Sequence, residues 1–505
     1  MLVVLLHLLL ASLSLLLLLA VAPTWWFRRW SDVTSRWRLR PIGHATLLAT
    51  DADHAPIMTI IMVVQGVWLL ESLAGLMCQR MAADPTFFRR FCSRVAVDTN
   101  DFELVPGFNP ASHIHDVPLE HRHKTPLEFA ELMATQVLTL DQPLWACHVL
   151  PVRDNRTFVV WRIHHALADG ASVHAFFARL SDNPPVAVVP PAASHTVPSK
   201  WKTLGQHAHL VIKSLWLYGK KATRVLLQPE PRTRLNQAGG RAKRMFYTTG
   251  YSVKTTKAMA KHLGVHVTVN DVFLSCITGA LRAMLMEEAS TDRDAMPSGL
   301  TDPTCVVRAG ISVDLRQPGD VPTMAEPDNR FSCLLVALPL GEACPVRRLH
   351  LIVQAMDEAK NSLERYITFA LSTMVAQFPP RVLAKVVAFL TSHSSVAISN
   401  VRGPRHVLYF DGHPLESLHG YVPPPPCVNM GIAIYSMADA LGVSVQVNAS
   451  VFQHPDKFLV HVQREYDELQ RCAAKYTPTQ IRRSECAGPT EEAEGGWGFH
   501  VASIS

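Results

Sequence analysis

The 505-residue chain lacks several patterns that would assign it to common classes of metal or disulfide protein. It has no Cys-x-x-Cys pair, and its ten cysteines lie far apart without clustered histidine partners. Because structural zinc needs ligands in closely spaced pairs, we expect no metal site and interpret the cysteines as reduced core thiols facing the cytosol. The group of neighbouring histidines at positions 113, 115, 121 and 123 lies among polar residues and predicts a solvated surface.

Charge is also scarce. Charged residues make up 18% of the chain against 48% apolar residues, which is the hydrophobic edge of globular composition and excludes a disordered or fibrous protein. The net charge of +6 is small and scattered, so nucleic acid is not an expected partner, although an anionic membrane surface is compatible with it. A chain of this length predicts two or three domain-sized units with a substantial buried core.

The first 27 residues contain no Asp, Glu, Lys or Arg. Residues 2–21 are almost entirely Leu, Val and Ala, and a run of this length can span a bilayer as a helix. Tryptophans and arginines follow directly, so the positive-inside rule predicts residues 1–24 to be a transmembrane anchor with the main body in the cytosol. A secretory signal peptide is the alternative, because Ala-Val-Ala at 20–22 has the small-x-small form of a cleavage site.

Hydrophobic periodicity predicts mixed strands and helices along most of the chain, and therefore an α/β (α+β) fold class. The second apolar stretch, at 56–77, is interpreted as a strand at 57–64 followed by a helix, with a second membrane segment as the alternative. Further strands are predicted at 157–163, 245–253, 396–401 and 443–449 and near positions 309 and 331, and helices at 126–138, 254–263, 270–286, 346–363 and 366–378.

Composition also predicts how the chain is divided. The Pro/Ala/Val-rich residues 182–198 show no periodicity and mark a crossover, and a helix with one apolar face and basic flanks follows them. This helix either lies on a membrane surface or packs on its own domain with a solvated basic face. We predict an N-terminal subdomain at 41–182, a crossover at 183–243, a C-terminal subdomain at 244–476 and a disordered tail at 477–505.

The most informative segment is residues 164–170, with the sequence H-H-A-L-A-D-G. It joins an apolar strand to a helical pattern, and such a junction projects side chains into a cleft from a rigid support. Neutral imidazole has a pKa near ~6.5 and accepts a proton from an alcohol at cytosolic pH, so His165 is the candidate general base. The sequence has no G-x-S-x-G elbow and no recognisable catalytic cysteine, which predicts the substrate's own hydroxyl as the nucleophile.

The H-H-x-x-x-D-G pattern resembles the CoA-dependent acyltransferase superfamily, and its surroundings are similar to the wax ester synthase/diacylglycerol acyltransferase branch. The resemblance extends from about residue 51 to residue 469. It is also carried by the P-L-W triplet Pro143, Leu144 and Trp145, the N-D pair Asn270 and Asp271, the strand end at Arg316, and the S-N-V-x-G-P segment with Ser399, Asn400 and Gly403. Three positions depart from the family's pattern, namely Ala146, Asp328 and Arg402.

The resemblance implies a chloramphenicol acetyltransferase-like fold of two subdomains, with mixed sheets flanked by helices and an active-site tunnel between them. Acyl-CoA, as co-substrate, and a lipid alcohol would enter from opposite sides and meet at His165, with no metal and no resident cofactor. Asp169 would point away from the tunnel and pair with an arginine, for which Arg316 is the candidate. The implied catalytic group is His165, His164, Asp169, Gly170 and Asn270, and the implied substrate-binding group is Pro143, Leu144, Trp145, Asp271, Arg316, Ser399, Asn400 and Gly403.

Several of these residues also have a purely structural interpretation. Thr268 and Asp271 fit a capping box, so Asn270 either starts a helix or offers its amide to the substrate or oxyanion. Asn400 and Gly403 either line the cleft or form a turn.

The predicted function is therefore that of a membrane-associated O-acyltransferase, with its body in the cytosol at the endoplasmic reticulum, that makes wax esters, triacylglycerol or both. Two alternatives remain open at this stage. The acceptor could be another hydroxyl or amine, or the protein could be a catalytically silent lipid-binding member of the same fold.

Overall fold

The computed structural model describes residues 36–39, 41–48, 50, 55–96, 101–150, 154–184, 200–228, 230–237, 240–291, 300–316, 328–376 and 378–475. The predicted anchor at 1–24, residues 185–199 of the predicted crossover and the predicted tail at 477–505 lie outside these ranges.

The strands of the described chain are β1 Arg36–Arg38, β2 Ile57–Gln65, β3 Ser93–Val95, β4 Asp101–Leu104, β5 Ile114–Asp116, β6 Trp145–Val149, β7 Arg156–His164, β8 Lys243–Ser252, β9 Val307–Asp314, β10 Phe331–Leu338, β11 Val396–Arg402, β12 Tyr409–Phe410, β13 His413–Tyr421, β14 Met430–Met437 and β15 Ala440–Asn448. Its α-helices are α1 Pro41–Leu48, α2 Leu70–Ala83, α3 Pro85–Phe88, α4 Pro126–Met133, α5 Gly170–Leu180, α6 Lys200–Leu227, α7 Val253–Leu263, α8 Val269–Thr291, α9 Pro345–Asn361, α10 Glu364–Val375, α11 Pro380–Thr391 and α12 Lys457–Lys475.

Two six-stranded mixed sheets organise these elements. The first has the strand order β12-β13-β2-β7-β6-β5, and the second has the order β10-β9-β11-β14-β15-β8. In the first sheet β5 and β6 run parallel, and in the second β9, β11 and β14 do. A smaller sheet, β1-β4-β3, lies beside them. The mixed α/β architecture predicted from periodicity is confirmed.

The later half of the chain contributes to the first sheet. Strand β13 pairs antiparallel with β2, with Tyr421 opposite Thr59 and Leu418 opposite Met62, and β12 extends the same edge. The predicted division into residues 41–182 and 244–476 did not foresee this exchange. Its consequence is that the edge of the first sheet is built by a segment from the other half, which holds the two halves together.

The interpretation of the second apolar stretch as a strand followed by a helix is confirmed. Residues Ile57 to Val64 of β2 are all buried, and α2 follows after a short bend. Among the described helices, one part of α8, Val269–Ala289, has the length and hydropathy of a membrane span, and 72% of its most apolar window is buried. Val272, Phe273 and Ile277 of α8 have no exposed surface and belong to the core of the second sheet, which is the packing of a core helix.

Helix α6 corresponds to the predicted basic amphipathic helix. Its Leu215 and Thr223 are buried, and Lys221 pairs with Glu364 of α10 at 2.6 Å. The part of α6 whose side chains are described therefore packs on the body of the protein. The predicted helix at 126–138 is shorter than expected, because α4 ends at Met133.

Two expectations about cysteine and histidine need correction. The nine described cysteines are free thiols as predicted, but only Cys147, Cys276 and Cys472 are buried, and Cys333 and Cys427 are exposed. The predicted solvated histidine surface is wrong for His113, which is 5% exposed, because its Nδ1 bonds to the carbonyl oxygen of Trp145 at 2.6 Å.

Candidate active site

The H-H-A-L-A-D-G segment forms the connection from β7 to α5, as predicted. Asp169 is the N-cap of α5, and its Oδ1 accepts a hydrogen bond from the backbone N–H of Ser172 at 2.9 Å. A carboxylate at this position satisfies a helix N–H that has no partner within the helix. Leu167 and Ala168 are buried in the core of the first sheet, and this packing fixes the position of the turn.

His164 faces the interior of this turn and is 1% exposed. Its Nδ1 accepts from the backbone N–H of Ala166 at 3.1 Å, so its Nε2 carries the proton and donates to Thr50 Oγ1, also at 3.1 Å. Burial, aided by the neighbouring His165, lowers the pKa of His164 to about 3. His164 is therefore a neutral residue with both ring nitrogens used in structural hydrogen bonds.

His165 lies on the other side of the turn and lines a cavity. Its backbone is fixed at both ends, because its N–H donates to the Pro56 carbonyl and its carbonyl accepts from Asn329 Nδ2, each at 2.8 Å. Its Nδ1 is buried without a hydrogen bond to another described residue. Burial lowers the pKa of His165, and the charge of Asp169 opposes this shift in part. The imidazole is thus neutral and able to accept a proton at neutral pH.

Asp169 points away from the cavity and pairs with Arg316. The predicted contact is present, with Arg316 Nη1 at 3.0 Å from Asp169 Oδ2, and Arg316 Nη2 reaches Asp328 Oδ1 at 2.7 Å. Burial opposes the charge of Arg316, but the carboxylates of Asp169, Asp328 and Asp314 together raise its pKa above the ordinary value. The guanidinium is 3% exposed and does not line the cavity, so its predicted substrate-binding role is replaced by a structural one.

The cavity has a volume of about 390 Å³ and lies between the two large sheets. Met58 and Ile60 of β2 and Leu418 of β13 form the part of the cavity wall that comes from the first sheet. Ile398 and Ile434 form the part that comes from the second sheet. Beyond the five residues just named, the wall includes Ile42, Ala45, Thr46, His165, Gly170, Val173, His174, Ser312, Phe331, Ser332, Ser372, Val387, Thr391, Ser399, Val401, Tyr421, Pro423 to Pro426 and Tyr435. Apolar side chains predominate, which fits a ligand with a long apolar chain.

The P-L-W triplet does not reach this cavity. Pro143, Leu144 and Trp145 are buried, and the Trp145 indole N–H donates to the carbonyl oxygen of Phe91 at 2.7 Å. Leu144 accepts from the backbone N–H of His164 at 3.0 Å. The predicted substrate contacts of the triplet are therefore corrected. Its residues support the end of β7 from the core.

Some of the remaining predicted site residues line the cavity, and the others make structural contacts. Ser399 and Gly170 line the cavity, whereas Asn270, Asn400 and Gly403 do not. Asn400 Nδ2 donates to Asn270 Oδ1 at 2.8 Å, next to Ser399. Asp271 forms the capping box with Thr268, its Oδ2 accepting from the backbone N–H and the hydroxyl of Thr268 at 2.9 and 2.7 Å, so a direct substrate contact is not its role here.

The structure also assigns contacts to residues that were not singled out. Asn329 holds the carbonyls of His165 and Ala166, Thr50 supports His164, and Phe331 packs on the His165 ring with 5.2 Å between ring centroids. His174 lines the cavity one helical turn after Gly170, and burial lowers its pKa to about 4. The four-residue spacing from Gly170 on a helix could have indicated His174, whereas Thr50 and Asn329 lie far from the turn in sequence.

The three residues that depart from the family's pattern lie in different environments. Asp328 shares Arg316 with Asp169, as described above, so its carboxylate is neutralised by the same guanidinium. Ala146 is buried in β6 and Arg402 is exposed at the end of β11.

Among the described residues, no group of three or more His, Cys, Asp or Glu is placed to hold a metal ion.

Comparison with known proteins identifies the family of this chain. The family model for the wax ester synthase/diacylglycerol acyltransferase catalytic domain matches residues 65–273, and that for the WS/DGAT C-terminal domain matches residues 328–470, together well over half of the chain. The chain belongs to the wax ester synthase/diacylglycerol acyltransferase family. Within this family the H-H-A-L-A-D-G turn lies in the region matched as catalytic, and the protein is an acyltransferase.

Relatives and solved structures agree with this assignment. A probable diacylglycerol O-acyltransferase from Mycobacterium tuberculosis is 26% identical over 70% of this acyltransferase and 78% of the relative. The O-acyltransferase WSD from Acinetobacter baylyi is 25% identical over 73% and 82%. The solved wax ester synthase/diacylglycerol acyltransferase from Marinobacter aquaeolei superposes with a TM-score of 0.57 at 18% identity, covering 87% of this chain and 100% of that one.

The fold is shared more widely. The starter condensation domain of rhizomide synthetase, solved with C8-CoA and Leu-SNAC, matches with a TM-score of 0.54 at 14% identity, over 89% of this acyltransferase and 96% of that chain. This likeness supports the predicted two-subdomain CoA-dependent acyltransferase fold.

Proposed function

We propose that this acyltransferase moves a fatty acyl group from acyl-CoA to the hydroxyl of a lipid alcohol, with His165 as general base. The acceptor is a long-chain fatty alcohol, diacylglycerol or both, and the products are wax esters, triacylglycerol or both. The observation that carries the proposal is a neutral His165 on the wall of a largely apolar cavity between two sheets.

The substrate assignment has further support. Acyl chains and long-chain alcohols are apolar, and the cavity wall offers them Met58, Ile60, Ile398 and Ile434. Relatives named as diacylglycerol O-acyltransferases and as an O-acyltransferase WSD cover most of the chain. Acyl-CoA as donor fits a fold that in rhizomide synthetase is seen with C8-CoA. We propose that the reaction needs no resident cofactor beyond this co-substrate.

The chemistry follows from the geometry of His165. The imidazole takes the proton of the acceptor hydroxyl, and the resulting alkoxide oxygen attacks the thioester carbonyl carbon. A tetrahedral oxyanion forms and then collapses, the C–S bond breaks, and CoA leaves as a thiolate that recovers the proton from the imidazolium. Positioned base catalysis supplies about 10²- to 10⁴-fold, and the juxtaposition of the two substrates must supply much of the rest.

Hydroxyls on the cavity wall are candidates for the donors that stabilise the oxyanion. Ser312 Oγ and Ser399 Oγ lie 3.0 Å apart and both line the cavity. Ser332 is buried, lines the cavity and has no hydrogen-bond partner for its hydroxyl among the described residues. A buried hydroxyl without a partner costs free energy, which a bound ligand oxygen would recover.

We further propose that residues 1–24 anchor the protein in a membrane, with the catalytic body in the cytosol and the endoplasmic reticulum as the membrane if the host cell has one. The support is the charge-free apolar segment followed by tryptophans and arginines. Protease protection of a tag at each end tests the topology, because shielding of a C-terminal tag inside sealed microsomes would contradict a cytosolic body.

The function is tested with full-length protein in membranes, labelled long-chain acyl-CoA and either a fatty alcohol or diacylglycerol. Wild type should form ester, and His165→Ala should lose about 10²- to 10⁴-fold in rate. His454→Ala, a substitution of an exposed histidine, is the matched control and should keep full activity.

The acceptor that gives the faster rate then names the main product. Unchanged ester formation by a folded His165→Ala protein would contradict the base assignment. Absence of ester from wild type with both acceptors would contradict the proposed acceptor class.

A further inference from the structure

Helix α11 has two apolar faces, and only one of them is covered by the part of the chain that the structure describes. Leu383 has no exposed surface, and Val387 and Thr391, one and two turns further along the same face, line the cavity. On the opposite side, Val382 and Phe389 are 44% and 53% exposed. We name Val382 and Phe389, together with the exposed Leu390 near the end of the helix, the outer face of α11.

The spacing of this face is that of an amphipathic surface helix. Val382 and Phe389 are seven residues apart and therefore share one side of the helix, and the exposed Leu390 follows near its C-terminal end. Contiguous exposed apolar side chains on a folded protein mark a surface that contacts a lipid or protein partner.

The charges around the outer face favour an anionic lipid surface as that partner. Arg381 and Lys385 of α11 are exposed beside it. No Asp or Glu occurs between Glu364 and Asp411, a stretch that contains α11 and most of α10. Basic residues flanking an apolar face are the pattern of helices that lie in the plane of a membrane interface.

The position of α11 relative to the cavity supports the same partner. Helix α1 packs against α10 and α11, with His44 Nδ1 bonded to the carbonyl oxygen of Ala376 at 3.2 Å. Residues of all three helices line the cavity, including Thr46 of α1 and Ser372 of α10. Helix α1 begins at Pro41, only a short distance in sequence after residues 1–24, which are proposed as the anchor.

We propose that the outer face of α11 docks on a lipid bilayer bearing anionic lipids, and that the acceptor lipid passes from the bilayer beside α11 into the cavity. The route rests on the proposed function, whereas the docking itself does not. A helix whose outer face lies in the bilayer and whose inner face lines the cavity provides an apolar path, so a long-chain acceptor need not cross water.

Docking is tested directly by photocrosslinking of the full-length protein. Phe389 is replaced by p-benzoylphenylalanine, and the protein is irradiated with vesicles of phosphatidylcholine and phosphatidylserine that contain a labelled phospholipid. The matched control carries the same group at Val265, which is 73% exposed on the loop between α7 and α8. We expect labelled lipid on the variant at position 389 and none on the variant at position 265.

A crosslink from position 389 only to another part of this chain would overturn the proposal and assign the face to a covering segment. Equal lipid labelling at both positions would also overturn it, because contact would then not be specific to α11.

Delivery of the acceptor is tested with the double variant Phe389→Asp, Leu390→Asp. With diacylglycerol embedded in vesicles, its rate should fall about tenfold or more, because two apolar side chains no longer insert. With hexanol dissolved in buffer the rate should not change. The control is Leu119→Asp, Val265→Asp, which replaces two exposed apolar side chains elsewhere and should behave like wild type.

The two acceptors separate the possible failures. A full rate of the α11 double variant on vesicles, or equal losses on vesicles and on hexanol, would overturn the delivery route. If wild type makes no ester from either acceptor, the proposed function fails while the crosslinking experiment still decides whether α11 docks on lipid.

Discussion

The two neighbouring histidines of the β7–α5 turn have the same side chain and opposite surroundings. His164 is enclosed, and its ring nitrogens are used by Ala166 and Thr50. His165 lines a cavity, and its Nδ1 is buried without a hydrogen bond to another described residue. Successive side chains of an extended segment point to opposite sides, so one strand end supplies an enclosed imidazole and an imidazole that faces the cavity.

The same division continues through the rest of the turn. Asp169 faces the interior and pairs with Arg316, whereas Gly170 lies on the cavity wall. The motif therefore has an interior side that fixes the backbone and a cavity side that carries the proposed general base. Substitutions on the interior side should change stability first, and substitutions on the cavity side should change activity first.

The largest expected effect is a difference between the two histidines, because substitution of one should lower activity and substitution of the other should lower stability. His165→Gln should reduce kcat by about 10²- to 10⁴-fold with little change in the free energy of unfolding, because only the base is lost. His164→Gln should reduce the free energy of unfolding by about 1–3 kcal/mol, because buried hydrogen bonds are disturbed. Ester formation at saturating acyl-CoA and denaturant unfolding of both variants measure the split. If folded His164→Gln lost as much kcat as His165→Gln, the division would be wrong.

On the interior side of the motif, the substitution expected to destabilise the fold most is that of Arg316. Arg316→Met should lower the free energy of unfolding by about 3–5 kcal/mol, because it leaves the buried carboxylate of Asp169 without its cation and removes the closer of the two arginines from Asp328. The matched control is Arg94→Met, whose pair with Glu103 is exposed and worth at most about 1 kcal/mol.

A double variant shows whether Arg316 stabilises the fold by pairing with carboxylates or only by packing. Adding Asp169→Asn to Arg316→Met should restore part of the lost stability, because one unpaired charge disappears. Urea unfolding of the two single variants and the double variant measures this coupling. Strictly additive losses would show that Arg316 acts through packing alone.

The parts of the site that the residues alone predict are those whose partners are close in sequence. The cap of Asp169 on α5 is local, whereas its pairing with Arg316 was implied by the family resemblance. The Asp271 capping box was recognisable from Thr268 for the same local reason. Trp145 was misassigned because a motif next to the catalytic strand has the same residue types whether it faces the substrate or the core.

The rest of the fold depends on long-range pairing that periodicity does not encode. Strand β13 joins β2 across more than 300 residues of sequence, and nothing in its local pattern indicates which sheet it enters. Helix α11 was not among the predicted helices, and its local pattern does not show which of its large apolar residues face the core. Leu383 faces the core and Phe389 faces outward, although both are large and apolar.

A smaller effect, on the interior side, is a dependence of stability on pH. The folded protein holds the pKa of His164 at about 3, whereas the unfolded chain has an ordinary histidine pKa near ~6.5. Between these values the unfolded state binds more protons, so stability is lost as pH falls from about 6.5 toward 3, by up to ~1.4 kcal/mol per pH unit.

His164→Gln should remove this one contribution and make the acid side of the stability profile less steep. The matched control is His454→Gln, at an exposed position, which should leave the profile unchanged. Thermal unfolding between pH 7 and pH 4 gives the comparison. Parallel profiles for wild type and His164→Gln would show that His164 does not titrate on unfolding as proposed.

The smallest effect expected lies on the cavity side, where Gly170 faces Val401. A Cβ added at Gly170 would lie 2.9 Å from Val401 Cγ2, and both residues line the cavity. Alanine improves helix propensity by up to ~1 kcal/mol over glycine, but overpacking typically costs about 1–3 kcal/mol. Gly170→Ala should therefore lose about 1 kcal/mol of stability, or raise KM for the acceptor by displacing Val401 into the cavity.

Val401→Ala decides whether steric crowding is the cause. In the background of Gly170→Ala it should restore the lost stability and the KM, because the smaller side chain removes the close contact. Alone, Val401→Ala should enlarge the cavity at the turn and leave kcat unchanged, since His165 keeps its contacts with Pro56 and Asn329. A double variant no better than Gly170→Ala would place the requirement for glycine in the backbone of the turn rather than in the cavity. That result would move Gly170 from the cavity side of the motif to its interior side.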